Sequence, residues 1–425
     1  MKKTIILLLI ITVLIISSCS RQTAELKQST WRGVVLLDKN DSANTKLSEL
    51  PFIFSYSKGK DGKDLIVITN ADEKINVTEI YNNGDSIIVK LPVYKDEIHA
   101  KIMSADSIAG EYLHVGSRSK YTLPFYAISG KTERFAGANK PPVSDITGTW
   151  EVTANETDSS KDMYVAEFRQ SGNKLTGTFL TSAGDYRYLE GAVSGNDVML
   201  SCFEGYYTKL FRAKITTEGN LTEGIIIGGP TSKEKWTAVK NENAKLPDPE
   251  KLSMLNSSFQ DGTETIDFSF PDVNNKTVSL KDEKYKGKPV IVSIGGSWCP
   301  NCKDETRLFG ELYEKYNPQG LEIIGLNFES NNFEESVQRI ERFRTQLNAN
   351  YVFLYAGETG RKVTETLPFI KVFKGYPTTI YLDRNHKVKK VHTGFSGPGT
   401  GKHYEALKKD IVNTIEELLK EKAGS

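Results

Sequence analysis

The sequence predicts a multidomain protein in which two tandem all-β domains, each a small barrel or sandwich, precede one α/β domain. Its 425 residues exceed the length that one hydrophobic core usually supports. In residues 30–136 and 145–242, apolar and polar side chains alternate in short runs separated by turn residues, as in antiparallel strands. From residue 258, strand patterns alternate with helical patterns, which favours a sheet with helices on both faces.

The charge balance excludes partners that need a strongly basic surface. The chain has 55 Lys and Arg residues against 54 Asp and Glu residues. Nucleic acids and anionic membrane surfaces attract proteins with a marked excess of positive charge, which this chain lacks. We therefore expect no nucleic-acid partner, and other partners have to be inferred from local sites.

The N-terminus has the features of an export signal. Two lysines precede an apolar run at residues 5–16, and small residues follow, so residues 1–18 are predicted to be a signal peptide. The run is too short to span a bilayer. The sequence Ile16-Ser17-Ser18-Cys19 resembles the lipobox of bacterial lipoproteins, which implies that Cys19 is acylated. A plain signal peptide cleaved near Ser18 is the alternative.

A lipid anchor on Cys19 would fix the location of the protein. Residues 19–29 would form the tether, and several acyl chains would hold the protein firmly to a membrane. Ser20 and Arg21 place no acidic residue after Cys19, which in diderm bacteria resembles a lipoprotein sorted to the outer membrane. The expected location is the periplasmic side of the cell envelope.

The two predicted β domains resemble diverged copies of one unit. Residues 97–108 align with residues 210–221 and share an Ala-Lys-Ile core, and Trp31 corresponds to Trp150. The second domain opens with Thr-Gly-Thr-Trp and contains a G-x-L-x-G-x-F pattern, which resembles lipocalin-like barrels. Residues 243–257 are predicted to link it to the α/β domain.

The stretch SWCPNC places Cys299 and Cys302 at a spacing that metal sites, haem attachment sites and redox pairs all use. A structural zinc site needs four ligands, and the chain has neither a second such pair nor a ligand-spaced group of histidines. Haem attachment needs a histidine where Lys303 stands. A redox pair and a static surface disulfide remain, although so short a loop stabilises a fold little.

The pattern around the cysteines favours the redox pair. A strand at residues 289–294 leads into Cys299, and an amphipathic helix follows, with Pro300 suited to its first turn. Free N–H groups and the helix dipole favour a thiolate at a helix start, so Cys299, expected to be exposed, is the predicted nucleophile. Cys302 lies one turn inside the helix and is expected to resolve the mixed disulfide. Cys202 is predicted to be a buried apolar side chain on a strand.

Residues 268–305 resemble the TlpA-like branch of the thioredoxin superfamily. The shared motifs are an N-terminal hairpin, K-G-K-P before the central strand, W-C-P-x-C, and an acid three residues after the second cysteine, here Glu305. Residues 375–379, Gly-Tyr-Pro-Thr-Thr, resemble the cis-proline loop that faces the cysteine pair. The resemblance covers residues 258–422 and implies that the predicted α/β domain, residues 258–425, has a thioredoxin fold.

The resemblance also implies roles for individual side chains. Glu305 would be an acid–base partner of the cysteine pair, with a pKa raised by burial. Pro377 would follow a cis peptide bond. The groove that holds an extended client chain would be lined by Trp298, Pro300, Tyr376, Pro377 and Thr378.

Two departures from the family pattern bear on this site. Ser293 stands where thioredoxins keep a buried aspartate, so proton transfer would depend on Glu305 or on water. Gly295 and Gly296 replace a bulky pair before the cysteine motif, and we expect them to loosen or widen the groove.

The sequence thus predicts a membrane-tethered, extracytoplasmic thiol-disulfide oxidoreductase of the protein-disulfide reductase type. Its partners would be exported client proteins with thiols or disulfides and an electron-transfer partner in the membrane or periplasm, and no cofactor or metal is expected. A thiol peroxidase is one alternative. The other is a binding or scaffold lipoprotein in which the β domains carry the function.

Overall fold

The computed structural model describes residues 25–38, 47–117, 119–155, 157, 161–246, 259, 264–360 and 363–421. The predicted signal peptide, Cys19, most of the tether and most of the predicted linker lie outside the described residues. Within the described ranges, no helix has both the length and the apolar character needed to cross a membrane.

The first β region forms one nine-stranded antiparallel sheet in the order β4-β3-β2-β1-β9-β8-β7-β6-β5. Alternation in the sequence directs every second side chain inwards, as in SIIVK, where the two buried residues are separated by a half-buried one. The strands are β1 (Ser29–Leu36), β2 (Glu49–Lys58), β3 (Asp64–Asn70), β4 (Glu73–Val77), β5 (Glu79–Asn83), β6 (Ser86–Lys90), β7 (Glu97–Ser104), β8 (Ser107–Val115) and β9 (Lys120–Ser129).

The second β region forms another nine-stranded antiparallel sheet, and this one closes on itself. Its order is β11-β10-β18-β17-β16-β15-β14-β12-β13, and an additional pairing of β11 with β12 joins eight of the strands into a ring. The strands are β10 (Gly148–Ala154), β11 (Asp162–Ser171), β12 (Lys174–Thr181), β13 (Gly184–Asp185), β14 (Leu189–Ser194), β15 (Asp197–Phe203), β16 (Thr208–Ile215), β17 (Leu221–Ile227) and β18 (Lys233–Lys240). The all-β prediction is confirmed for both regions, while the domain boundaries and the lipocalin likeness stay predictions.

The aligned motifs occupy corresponding places in the two sheets. The Ala-Lys-Ile motif lies on β7 and on β16, each the third strand from the end of its sheet in chain order. Trp31 and Trp150 lie on the first strand of each sheet, and each indole N–H donates to the carbonyl four residues earlier. The two sheets pack on each other, because the rings of Phe52 and Phe203 stack with centroids 4.0 Å apart.

The C-terminal region is an α/β unit with a five-stranded sheet in the order β23-β22-β21-β24-β25. The central strand β21 pairs in parallel with β22 and antiparallel with β24. Its residues VIVSIG are all buried because both faces of the sheet are covered. The strands are the hairpin β19 (Ser269–Pro271) and β20 (Thr277–Ser279), then β21 (Val290–Gly295), β22 (Glu322–Glu329), β23 (Val352–Glu358), β24 (Thr378–Leu382) and β25 (Val388–Thr393). This confirms the predicted α/β sheet.

Four α-helices complete the described part of this unit. They are α1 (Pro300–Tyr316), α2 (Phe333–Gln346), the one-turn α3 (Val363–Thr366) and α4 (Lys402–Lys420). Successive residues of β21 point into two cores: Val292 packs with the N-terminal hairpin and α3, and Ile291 packs with α1, α2 and α4. The helices therefore cover both faces of the sheet, as the sequence predicts.

Helix α2 attaches the α/β unit to the first sheet. Arg342 donates through Nη2 to Glu79 Oε1 at 2.9 Å and through Nε to the carbonyl of Tyr94 at 2.9 Å. Arg339, one turn earlier, donates through Nη1 to the carbonyl of Val115 at 2.7 Å. These contacts hold the first sheet against α2 at Glu79, Tyr94 and Val115.

Candidate active site

Cys299 and Cys302 form a disulfide at the start of α1. Cys299 is the N-cap of the helix, its Sγ accepts from the backbone N–H of Cys302 at 3.1 Å, and Pro300 occupies the first turn. A sulfur in this position faces the free N–H groups and the positive end of the helix dipole, which stabilise a thiolate. The predicted helix start is confirmed.

The prediction that Cys299 is exposed is wrong. Cys299 is only 4% exposed and Cys302 only 3%. Sequence patterns within the α/β unit could not show this, because the cover is supplied by residues of the two β sheets that pack around the start of α1. Cys202 is fully buried on β15, as predicted.

Gly295 and Gly296 leave room for close side-chain packing beside the cysteines. The indole N–H of Trp298 donates to the carbonyl of Phe328 at 2.8 Å, and a Cβ on Gly296 would lie 2.7 Å from that same oxygen and would clash with the indole. Gly295 faces Cys302, whose Sγ would lie 3.3 Å from an added Cβ. The glycines therefore let Trp298 fold inwards, whereas the sequence predicted a looser or wider groove.

The proline loop lies next to the cysteine pair, and the Tyr376–Pro377 peptide bond is cis, as predicted. Thr378 pairs with Ile294 across β24 and β21, which brings the loop to the sheet edge from which the cysteine motif departs. Tyr376 packs edge-on against Trp298 with ring centroids 5.2 Å apart. The carbonyl of Pro377 accepts from the N–H of Gly394 at 2.8 Å.

Glu305 is a buried acid beneath the cysteine pair. Its two carboxylate oxygens accept hydrogen bonds of 2.6 Å each, one from Ser293 Oγ and one from Thr379 Oγ1. Burial raises the pKa of Glu305 to about 7, although these two hydrogen bonds act in the opposite direction. Ser293, at the position where thioredoxins keep an aspartate, thus binds the acid supplied by α1.

A second buried acid, Glu329, holds the loop before the cysteines and was missed in the sequence. Glu329 accepts from the backbone N–H of Ser297 at 2.6 Å and from its Oγ at 2.9 Å. Burial raises the pKa of Glu329 to about 7. Its position offered a signal, because β22 runs parallel to β21 and its last residue must reach the same sheet edge as the cysteine motif.

A cluster of five charged side chains, here called the Arg187 cluster, joins both β sheets to α1. Arg187 is 1% exposed and pairs with Glu73 on β4 at 2.7 Å, with Glu204 after β15 at 3.0 Å, and with Asp304 of α1. Lys303, directly after Cys302, also pairs with Glu204. No local pattern could reveal these pairs, because the partners are far apart in the sequence and belong to two β sheets and a helix.

Burial and charge oppose each other in this cluster. Burial acts to raise the pKa of Glu73, but the positive charges of Arg187 and Lys303 outweigh it and hold that pKa below its usual value. Burial raises the pKa of Glu204 despite the same cations. Burial and the charge of Asp304 together raise the pKa of Asp185, beside the cluster, to about 6. The cluster thus keeps charges from both β sheets and α1 in one buried volume.

Comparisons with known proteins agree with this geometry. A family model described as Redoxin matches residues 259–408. The thiol-disulfide oxidoreductase ResA of Bacillus anthracis is 32% identical over 129 residues, which are 30% of this chain and 67% of the relative. ResA of Bacillus subtilis (strain 168) is 29% identical over 137 residues, 32% of this chain and 69% of the relative. The chain belongs to the TlpA-like thiol-disulfide oxidoreductases.

The family match lies in the C-terminal region of the chain. The chain spans about two thirds of the length of the ResA relatives named above. The Redoxin match contains Cys299, Cys302, Glu305 and Pro377, but it begins after both nine-stranded sheets. A putative thiol:disulfide interchange protein DsbE from Chlorobium tepidum, of known structure, is 23% identical, with a TM-score of 0.29 over 37% of this chain and 99% of that chain.

Replacing Glu305 by Gln should change how stability and turnover depend on pH. The pKa of Glu305 is raised from 4.5 to about 7, so folding takes up a proton between these values and wild-type stability falls as pH rises through this window. A glutamine side chain does not titrate, so the variant does not lose this stability as pH rises. Its unfolding free energy should approach that of the wild type as pH falls towards 4.5 and exceed it by up to about 3 kcal/mol above pH 8.

The inflection that Glu305 gives to turnover near pH 7 should also disappear in the Glu305→Gln variant, while Glu329 still titrates in this range. The control is Glu311→Gln, which removes an exposed acid from the same helix. Denaturant unfolding and turnover of a disulfide substrate, measured from pH 5 to pH 9, check both expectations. Profiles that overlay those of the wild type would show that Glu305 does not titrate in this range.

Proposed function

We propose that this oxidoreductase is a membrane-tethered, extracytoplasmic enzyme that exchanges disulfides with exported client proteins. The observation that carries the proposal is the placement of the Cys299–Cys302 pair at a helix N-terminus, with Cys299 as the capping residue. The proline loop and the buried acid Glu305 flank this pair. Such a site has a nucleophile, a resolving thiol and a proton carrier within one short segment.

The exchange needs two steps, which we write in the reducing direction. The thiolate of Cys299 attacks one sulfur of a client disulfide, so that a mixed disulfide forms and the other client sulfur leaves as a thiolate that takes up a proton. Cys302 then loses its proton and attacks Cys299 Sγ, which releases the second client sulfur and closes the Cys299–Cys302 disulfide. Two electrons pass to the client, and a separate dithiol donor in the membrane or periplasm must restore the pair.

Glu305 is suited to the second step. Cys302 has to lose a proton inside a buried site, and a carboxylate with a pKa of about 7 can accept it near neutral pH. Ser293 and Thr379 hold the carboxylate from two neighbouring strands, which fixes its direction. We therefore assign Glu305 the role of proton acceptor for Cys302.

The client groove would run between the start of α1 and the proline loop. Trp298 and Tyr376 form its aromatic wall, and Pro300, Pro377 and Thr378 complete the lining. An extended client chain can bind at such a place by adding its backbone to the edge of the loop. The redox sulfur would then meet the client disulfide at the end of the groove.

The tether rests on the N-terminal sequence. A short basic segment, an apolar run and Ile16-Ser17-Ser18-Cys19 occur in the order that export followed by acylation requires. Acyl chains on Cys19 would hold the enzyme at the periplasmic face of a membrane, which we infer to be the outer membrane. Disulfide exchange is useful in that compartment because disulfides persist there.

Replacing Cys302 by Ala should trap the enzyme on its clients. Without a resolving thiol, the mixed disulfide on Cys299 cannot be released, so reducible complexes should accumulate with exported proteins and should be seen on non-reducing gels. The matched control is Cys299→Ala, which should give none. Complexes that form with Cys299→Ala and are absent with Cys302→Ala would reverse the two roles.

Replacing Cys19 by Ala should free the enzyme from the membrane. Without the acyl acceptor, the protein should move to the soluble fraction or remain as an uncleaved precursor, and it should no longer incorporate labelled fatty acid. Ser20→Ala, which leaves the acceptor in place, serves as the control. A Cys19→Ala variant that still fractionates with membranes as a cleaved protein would disprove the lipid anchor.

A further inference from the structure

A turn of the second sheet lies against the cysteine loop and the proline loop, which border the client groove assigned above. The carbonyl of Ala183 accepts from the side-chain amide of Asn301, between the two cysteines, at 3.3 Å. Two residues later, Asp185 accepts through Oδ2 from the backbone N–H of Gly397 at 2.6 Å. The turn between β12 and β13 therefore bridges the start of α1 and the loop after β25.

The backbones on the two sides of this contact are so close that neither side has room for a side chain. Gly184 has a φ of +140°, and a Cβ there would lie 2.9 Å from the carbonyl oxygen of Phe395 and would displace the amide of Asn301. On the opposite side, Gly394 has a φ of +87°, and its added Cβ would lie 2.8 Å from the carbonyl oxygen of Ser182. Ala183 itself would be 3.7 Å from a Cβ on Gly375 of the proline loop.

The other side of the cysteine loop is covered as well. Trp298 and Ser297 face Tyr94 of the first sheet and Tyr206 of the second across a gap of only about 10 Å³. A gap of that size holds about one water molecule and no peptide. Cys299, which lies in the chain between these two contacts, is 4% exposed. A client cannot reach the sulfur while both contacts persist.

We propose that the turn Thr181–Asp185 is an internal occupant of the client groove, which keeps the redox pair covered until the second sheet moves away from α1. The inference rests on the proposed function, since the groove is a client site only in a disulfide-exchanging enzyme. The turn offers the groove what an extended client would offer: a backbone carbonyl for Asn301 and a carboxylate for the N–H of Gly397. An exported chain that supplies equivalent groups can replace it.

The ion pairs of the Arg187 cluster hold the turn and the second sheet against α1. Arg187 follows the turn by two residues and pairs with Asp304, so the turn and α1 share one buried ion pair. Lys303 pairs with Glu204 of the same sheet. Because these charges would be left without partners if the sheet moved only slightly, we expect the cover to be either in place or fully displaced.

The test compares two glycine substitutions in the full-length chain. Gly184→Ala adds a methyl group against Asn301 and should push the turn out of the groove. Gly219→Ala is the matched control, because Gly219 lies in the turn between β16 and β17 with a φ of +83° and has no atom within 4 Å of its added Cβ. Both variants strain a turn of the same sheet, but only the first disturbs the groove.

Gly184→Ala should raise the second-order rate of alkylation of reduced Cys299 by a bulky maleimide about tenfold, because that rate follows the fraction of uncovered molecules. Turnover of a disulfide-bonded protein substrate such as insulin should rise with it, while Gly219→Ala should match the wild type. Ala183→Glu, which adds bulk facing Gly375, should act in the same direction as Gly184→Ala. Circular dichroism melting curves identify any variant that has lost the second sheet.

The alkylation and insulin-reduction measurements distinguish the covering role of the turn from the proposed function of the groove. Faster alkylation of Gly184→Ala and Ala183→Glu without faster insulin reduction would support the cover and contradict the client groove. Alkylation rates equal to those of the wild type in both folded variants would overturn the internal occupant, whatever the turnover.

Discussion

The arrangement of the whole molecule depends on one buried guanidinium. Arg187 lies between carboxylates from the first sheet, the second sheet and the helix that carries the cysteines: Glu73, Glu204 and Asp304. Burying these charges costs free energy that only close pairing offsets, and loss of one partner of such a pair typically costs about 3 to 5 kcal/mol. The two β sheets and the redox helix α1 are therefore held against one another for as long as these pairs persist.

This constraint explains why a site built for exchange is covered in the resting chain. The cysteine pair has what its chemistry requires inside the α/β unit: a helix N-terminus, a loop held by Glu329, and Glu305 with a pKa near neutrality. The β sheets supply contacts on both sides of the cysteine loop, at Asn301 and at Trp298. The α/β unit thus carries the redox chemistry that the chain shares with shorter relatives. In our proposal, the N-terminal sheets control the access of clients to the cysteine pair.

The sequence predicted the fold of each region but not the contacts between regions. Alternation and helical periodicity located the strands and helices because each element buries one of its own faces, as in VIVSIG of β21. Local sequence patterns also placed Cys299 at a helix start and Glu305 beside the cysteine pair. It could not show that Cys299 is buried, because the covering turn lies more than 100 residues away in another sheet. Ion pairs across such distances leave no periodic signal.

The most direct test of the covered redox pair is the alkylation rate of reduced Cys299 in the otherwise unaltered Cys302→Ala chain, followed as the concentration of a small alkylating reagent increases. If the sheets must separate before the thiol can react, the rate should level off at a plateau that equals the opening rate and is the same for reagents of different reactivity. A rate that rises in proportion to reagent concentration, up to that of a free thiolate in an unfolded chain, would contradict the account.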